Sequence, residues 1–169
     1  GNRQMLDQLW HHLHDPEPEG LGFFIPSQSV NPEHRDGQHY RSNMLINNTG
    51  IWEGGMWGAV DRWGFSLYAM PPGGLRVDPP SGATPHEYGH TILIGAGGFN
   101  ETPWDGMWHE AGANWLQLQF LDSYPGPGGI GMQPSLSMPH GRNYYDAWFL
   151  FEYMAETPEF GPSFVSKLW

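Results

Sequence analysis

The chain has no cysteine, a single lysine, and no apolar run near the eighteen or so residues that a membrane-spanning helix needs. Without cysteine there is neither a disulfide framework nor a thiolate metal site, so any metal must be held by histidine and carboxylate. Seven basic residues face eighteen acidic ones, and the net charge of −11 repels nucleic acid and anionic membrane surfaces. Partners are therefore expected among protein, glycoprotein or polysaccharide-associated substrates, with no nucleic acid and no membrane span. Internal repeats and blocks of like charge are also lacking. The start, Gly1-Asn2-Arg3, has no initiator methionine and no apolar signal core, and Phe164 to Trp169 reads as a helix cut short. Both features suggest a processed piece of a larger protein.

What the chain does have is aromatic weight. Nine Trp, seven Tyr and nine Phe stand among 24 Gly and 16 Pro, a composition that suits the loop-rich, aromatic-packed surface of secreted proteins that meet polymers. A secreted, extracellular location is the expectation. At 169 residues the chain fits one domain, residues 1–169, long enough to close a core without metal or disulfide staples.

The organising stretch is Pro85-His86-Glu87-Tyr88-Gly89-His90. On a helix, His86 and His90 stand one turn apart on the same face, so two imidazoles converge on one ion, and Glu87 sits beside them within reach of an activated water. The local signals favour that helix: Thr84 as N-cap, Pro85 at the first helical position, and Gly95, Gly97 and Gly98 as a stop. With nine His and ten Glu in the chain, only about 0.03 accidental HExxH matches are expected. A catalytic zinc takes three protein ligands and leaves a fourth position for water. His86 and His90 supply two; Glu101, Asp105, His109 and Glu110 are the candidates for the third.

Periodicity places the other elements. Met5, Leu6, Leu9, Trp10 and Leu13 make a helical stripe over residues 4–14 that ends before Asp15-Pro16, with His11, His12 and His14 complementing the dipole at its end. A strand is expected over Tyr40 to Asn47, ended by the turn residues Asn47-Asn48-Thr49-Gly50. From Ile51 to Pro72, Gly alternates with Trp, Met and Tyr, which suits short strands or an aromatic-packed loop and offers a candidate glycan-stacking face. Asp105 caps a second helix running to about Asp122, on which Glu110 and Asn114 share a face. Tyr124 to Pro139 is irregular; Asn143 caps a third helix with Asp146 at its third position, and Gly161-Pro162-Ser163 opens a last helical turn. The expected class is α+β: a small N-terminal mixed sheet with an active-site helix, then a mainly helical C-terminal half.

Glu110 follows His90 by twenty residues. In this the chain resembles the gluzincin clan of zinc metallopeptidases, whose thermolysin-like members carry HExxH on one helix and a Glu ligand on the next. The wider layout runs from Asn48-Thr49-Gly50 through the Trp108 to Trp115 segment to Tyr144-Tyr145-Asp146-Ala147-Trp148-Phe149. It is similar to secreted bacterial proteins with a gluzincin-type core and largely unassigned substrates, and it covers most of residues 40–169.

The resemblance implies a zincin-like fold and Zn2+ held by His86, His90 and Glu110, with Glu87 as general base. It places Asn114 where a carboxylate commonly orients the first His; an amide carbonyl there can accept from His86 Nδ1 without raising its basicity. His140, Arg142, Tyr144 and Tyr145 fall where related enzymes keep an oxyanion donor, and Tyr145 and His140 are the preferred pair. The Tyr40 to Asn47 strand becomes the edge that pairs with an extended substrate. His109 points about 100° away from Glu110 around the helix and is left out of the ligand set.

The expected function is that of a secreted zinc metallopeptidase. Two readings compete with it: a metal-dependent polysaccharide-active enzyme, suggested by the Trp-rich stretch from Trp52 to Trp63, and a glycan- or protein-binding module that keeps zinc for structure. Glu87 argues against the last, because a purely structural site has no use for a general base.

Overall fold

The structure, a computed structural model, describes residues 2–16, 18–23, 31–34, 36–38, 40–50, 54–75, 81–99, 105–121 and 145–169. The first element, α1 (Asn2–His14), buries Leu9 and Leu13 of the expected stripe. His14 is buried as well: its Nδ1 donates to the Phe23 carbonyl at 3.0 Å, and its Nε2 lies 2.9 Å from the Tyr88 hydroxyl. A carbonyl only accepts, so the ring proton sits on Nδ1 and Nε2 accepts from Tyr88. One imidazole thus ties α1 to the helix that carries HExxH.

The sheet has three strands among the described residues, β1 (Asn43–Ile46), β2 (Trp57–Val60) and β3 (Ser66–Met70), in the order β1-β3-β2. β1 runs parallel to β3, and β2 runs antiparallel to it. The first strand is shorter than the expected Tyr40 to Asn47. The β2–β3 connection is a tight turn in which Asp61 Oδ1 accepts from the backbone N–H of Trp63 (2.8 Å) and Phe65 (3.0 Å), and Gly64 takes φ 82°. An Asp that satisfies two loop amides, followed by a Gly in the left-handed region, is ordinary turn chemistry.

Helix α2 (Ala83–Ala96) begins one residue before the expected cap. Gly82 is its N-cap, and Ser81 Oγ accepts from the Ala83 N–H at 3.2 Å. Thr84, expected at the cap, lies inside the first turn, where its hydroxyl donates to the Gly74 carbonyl at 2.9 Å and ties the helix to the 3-10 turn at Pro72–Leu75. Pro85 still falls in the first turn, where a missing N–H costs nothing. The stop is as expected: Gly97 at φ 84° with its N–H bonded to Leu93 O.

Helix α3 (Asp105–Phe120) packs on α2 at short range. A Cβ on Gly89 would meet Ala113 Cα at 3.2 Å, and one on Gly112 would meet Leu93 Cδ1 at 2.7 Å. Two further helices follow, α4 (Trp148–Glu156) and α5 (Ser163–Ser166). The expected start of α4 at Asn143 is corrected. Asn143 is outside the described residues, residues 145–147 form a turn, and Ala147 is the N-cap, so Asp146 precedes the helix. The Tyr145 carbonyl, which a helix begun at Asn143 would give to residue 149, is taken by the Asn114 side chain.

One hydrophobic cluster joins these elements, with Trp115, Phe151, Met70, Ile92, Leu93, Met107 and Leu116 fully buried. Trp115 Nε1 donates to Glu152 at 2.8 Å, so even the polar edge of this large side chain is satisfied. The fold is α+β, a small mixed sheet with helices, and no helix among the described residues is long and apolar enough to cross a membrane.

Two outcomes follow from this packing. A Cβ at Gly58 would sit 1.9 Å from Glu87 O and 2.9 Å from His90 Cβ, so β2 must shift off α2 in Gly58→Ala. A loss of about 1–3 kcal/mol in denaturant unfolding is expected, and an unchanged midpoint would refute the close crossing. Burial holds the His14 imidazolium below the usual histidine value, against weaker opposing effects of the Phe23 carbonyl and Asp15. The unfolded chain then binds the proton more readily, so this stabilisation is complete above about pH 6.5 and is lost as pH falls below it. His14→Gln should flatten the acid limb of stability against pH; an equally steep limb in the variant would contradict the assignment.

Candidate metal centre

Three side chains from two helices meet in front of β2. His86 and His90, one turn apart on α2, bring their Nε2 atoms to 3.2 Å of one another. Glu110, in the second turn of α3, places Oε2 at 3.3 Å from His86 Nε2 and 3.4 Å from His90 Nε2. A tetrahedral ion with bonds of about 2.0–2.2 Å to nitrogen and oxygen has ligand atoms about 3.3–3.6 Å apart, and this nearly equilateral triangle matches one face of that tetrahedron. Glu110 Oε2 is buried, and neither imidazole meets it with hydrogen-bond alignment. A buried carboxylate oxygen without a hydrogen bond needs a cation, and a metal ion bound to the three atoms would supply it. His86, His90 and Glu110 can therefore hold a metal ion.

The electrostatics agree with the donor set. Burial pushes the Glu110 carboxyl up, but the two imidazoles outweigh it and hold it at about 2, so the ligand is ionised at neutral pH. Glu87 is 6 % exposed; burial raises its carboxyl, Glu110 adds to the rise, and His86 and His90 oppose it. A carboxyl with its proton affinity raised beside a metal group is suited to taking up and releasing a proton.

These residues line an open cleft of about 310 Å³, walled by Met56, Trp57 and Gly58 on one side and by Ile94, Gly106 and Tyr145 elsewhere. Tyr145, chosen from the sequence, does reach the site: its ring is stacked toward His86 at 6.3 Å with planes 25° apart. It lines the same cleft as Glu87 and Glu110. Burial first, and then the charges of Glu110 and Glu87, raise its phenol, which keeps the proton it would donate. His140, Arg142, Tyr144 and Glu101 lie outside the described residues, as does the side chain of Asp105. His109 borders the cleft but packs its ring against Trp169 at 5.0 Å and does not join the ligand group.

Two expectations need correction. No hydrogen bond joins Asn114 to His86 among the described residues; the amide bonds through its other end, Nδ2 donating to the Tyr145 carbonyl at 2.7 Å. The strand flanking the site is β2, not Tyr40 to Asn47, because β3 lies between β1 and β2 and it is Gly58 of β2 that touches α2. The sequence reading missed Met56, Trp57 and Gly58 as cleft walls. A signal was present, since a lone Gly within a strand pattern marks a close backbone approach.

Titration of the metal-free protein with Zn2+ by calorimetry should give one site per chain. His86→Ala, His90→Ala and Glu110→Ala should each weaken it by more than about 100-fold, beyond the range of an outer-shell change. Undiminished affinity in any of the three would remove that side chain from the centre. Compared with known proteins, the chain matches no protein-family model, no curated protein and no solved structure.

Proposed function

We propose that the chain is a secreted zinc-dependent hydrolase of zincin-like fold, a metallopeptidase that cleaves peptide bonds. The observation that carries this reading is the triangle of His86, His90 and Glu110 with Glu87 buried at its side. A structural metal site closes all its positions with protein ligands, whereas three ligands facing a cleft leave one open. The resemblance to gluzincins supports the choice of metal and reaction.

Zinc, when bound, supplies a Lewis acid that activates water and polarises a carbonyl. Glu87 takes the proton of the attacking water and passes it to the leaving amine, a task that suits a carboxyl with raised proton affinity. Tyr145 keeps its phenol proton and donates it to the oxygen that gains charge in the transition state. The His86 and His90 side chains are mostly buried, with their Nε2 atoms 3.2 Å apart, which supports a metal group assembled before the ion arrives. Trp57 and Gly58 of β2 border the cleft, and β2 is the outer strand on that side of the sheet among the described residues. An extended peptide can pair with such an edge through its main chain, which a glycan cannot do; this favours peptide over polysaccharide.

Cleavage of casein or a peptide library should require the metal and stop on chelation. Glu87→Gln should bind Zn2+ normally and lose kcat by about 10²–10⁴-fold. Tyr145→Phe should lose kcat by about 10–10³-fold with little change in KM. Activity on glycans alone would transfer the site to polysaccharide chemistry, and full activity in Glu87→Gln would refute the mechanism.

A further inference from the structure

Asn114 is 4 % exposed and follows Glu110 by one helical turn on the same face of α3. Its amide nitrogen donates to the backbone carbonyl of Tyr145, 31 residues away in sequence, at 2.7 Å. Tyr145 belongs to the turn that precedes α4 and is 55 % exposed, so packing alone holds it weakly. Its ring faces His86, and it lines the same cleft as Glu110. The helix that supplies the carboxylate ligand therefore also fixes, one turn later, the backbone of the residue standing over that ligand.

We propose that Asn114 is a positioning residue that holds the Tyr145 phenol over the His86–His90–Glu110 group through the Tyr145 carbonyl, and that it does not tune His86. The chemistry explains why an amide occupies the position. A carboxylate has no hydrogen to give to a carbonyl and would repel it, whereas an amide NH2 donates. A buried amide donor that meets its acceptor is stabilising, and truncation removes from the Tyr145 carbonyl the donor that holds it. The proposal rests on the metal-binding reading of the site and not on peptide hydrolysis. A native protein that binds Zn2+ but cleaves no peptide would remove the proposed reaction and leave the following test intact.

The test labels the full chain with 3-fluorotyrosine and assigns the Tyr145 resonance by its disappearance in Tyr145→Phe. Zn2+ is then titrated into native protein, Asn114→Asp and Asn114→Ala. The native Tyr145 resonance should shift on metal binding. In both variants it should start nearer the position of a solvent-exposed tyrosine and respond less, while Zn2+ affinity falls by less than about tenfold, below the usual cost of losing a histidine-orienting partner. A Tyr145 resonance identical to native in Asn114→Ala, or a loss of metal affinity of about tenfold or more in that variant, would overturn the proposal in favour of a His86-orienting role. Circular dichroism checks the fold of each variant. If the added charge prevents Asn114→Asp from folding, Asn114→Ala, which removes the donor alone, decides.

Discussion

The crossing of α2 and α3 is the constraint on which the site depends. Two imidazoles on one helix can always approach each other at a spacing of four, but the third corner of the triangle comes from another helix, and its distance is set by packing. Gly89 lets the α3 backbone at Ala113 come close, and Gly112 does the same for Leu93 on α2. With larger residues at this contact the helices would stand farther apart, and Glu110 Oε2 would leave the 3.3–3.4 Å range from the imidazoles. The same helices carry much of the core, including Trp115, Leu116, Ile92 and Leu93, so the metal group is mounted on packed helices.

Around that crossing, each neighbour solves a local problem created by the site. Gly58 lets β2 lie against the helix at Glu87 and His90, which brings an outer strand to the cleft. His14 links the helix from behind through Tyr88, and Thr84 links it to the turn after β3. Asn114 reaches in the other direction, to Tyr145. Glu87 is buried beside His86, His90 and Glu110, and its raised proton affinity follows chiefly from that burial.

Much of this could be read from the sequence where the relevant interaction is local. The HExxH spacing, the Gly97 stop and the shared face of Glu110 and Asn114 all depend on residues within two helical turns of one another, and each appears in the structure; of the α1 stripe, Leu9 and Leu13 are buried but Trp10 is exposed. Interactions between distant segments were not legible. The strand order β1-β3-β2 puts β2 beside α2, but no pattern within Tyr40 to Asn47 reveals that β3 intervenes. The sequence aims the Asn114 carbonyl at His86, whereas the amide nitrogen finds its acceptor at Tyr145, 31 residues on, and only the fold reveals that partner. The late start of α4 has the same origin, since the Tyr145 carbonyl is engaged from α3. The cap falls at Gly82, two residues before Thr84, with Ser81, a weaker signal in the sequence, accepting from the Ala83 amide.

The claim at the centre of this account is geometric, and anomalous diffraction at the zinc edge from crystals of the zinc-loaded protein tests it most directly. The account expects one peak at about 2.0–2.2 Å from His86 Nε2, His90 Nε2 and a Glu110 carboxylate oxygen, with the remaining coordination position facing the cleft. A peak held by other residues, or a Glu110 carboxylate turned away from an ion bound to the two histidines, would contradict it.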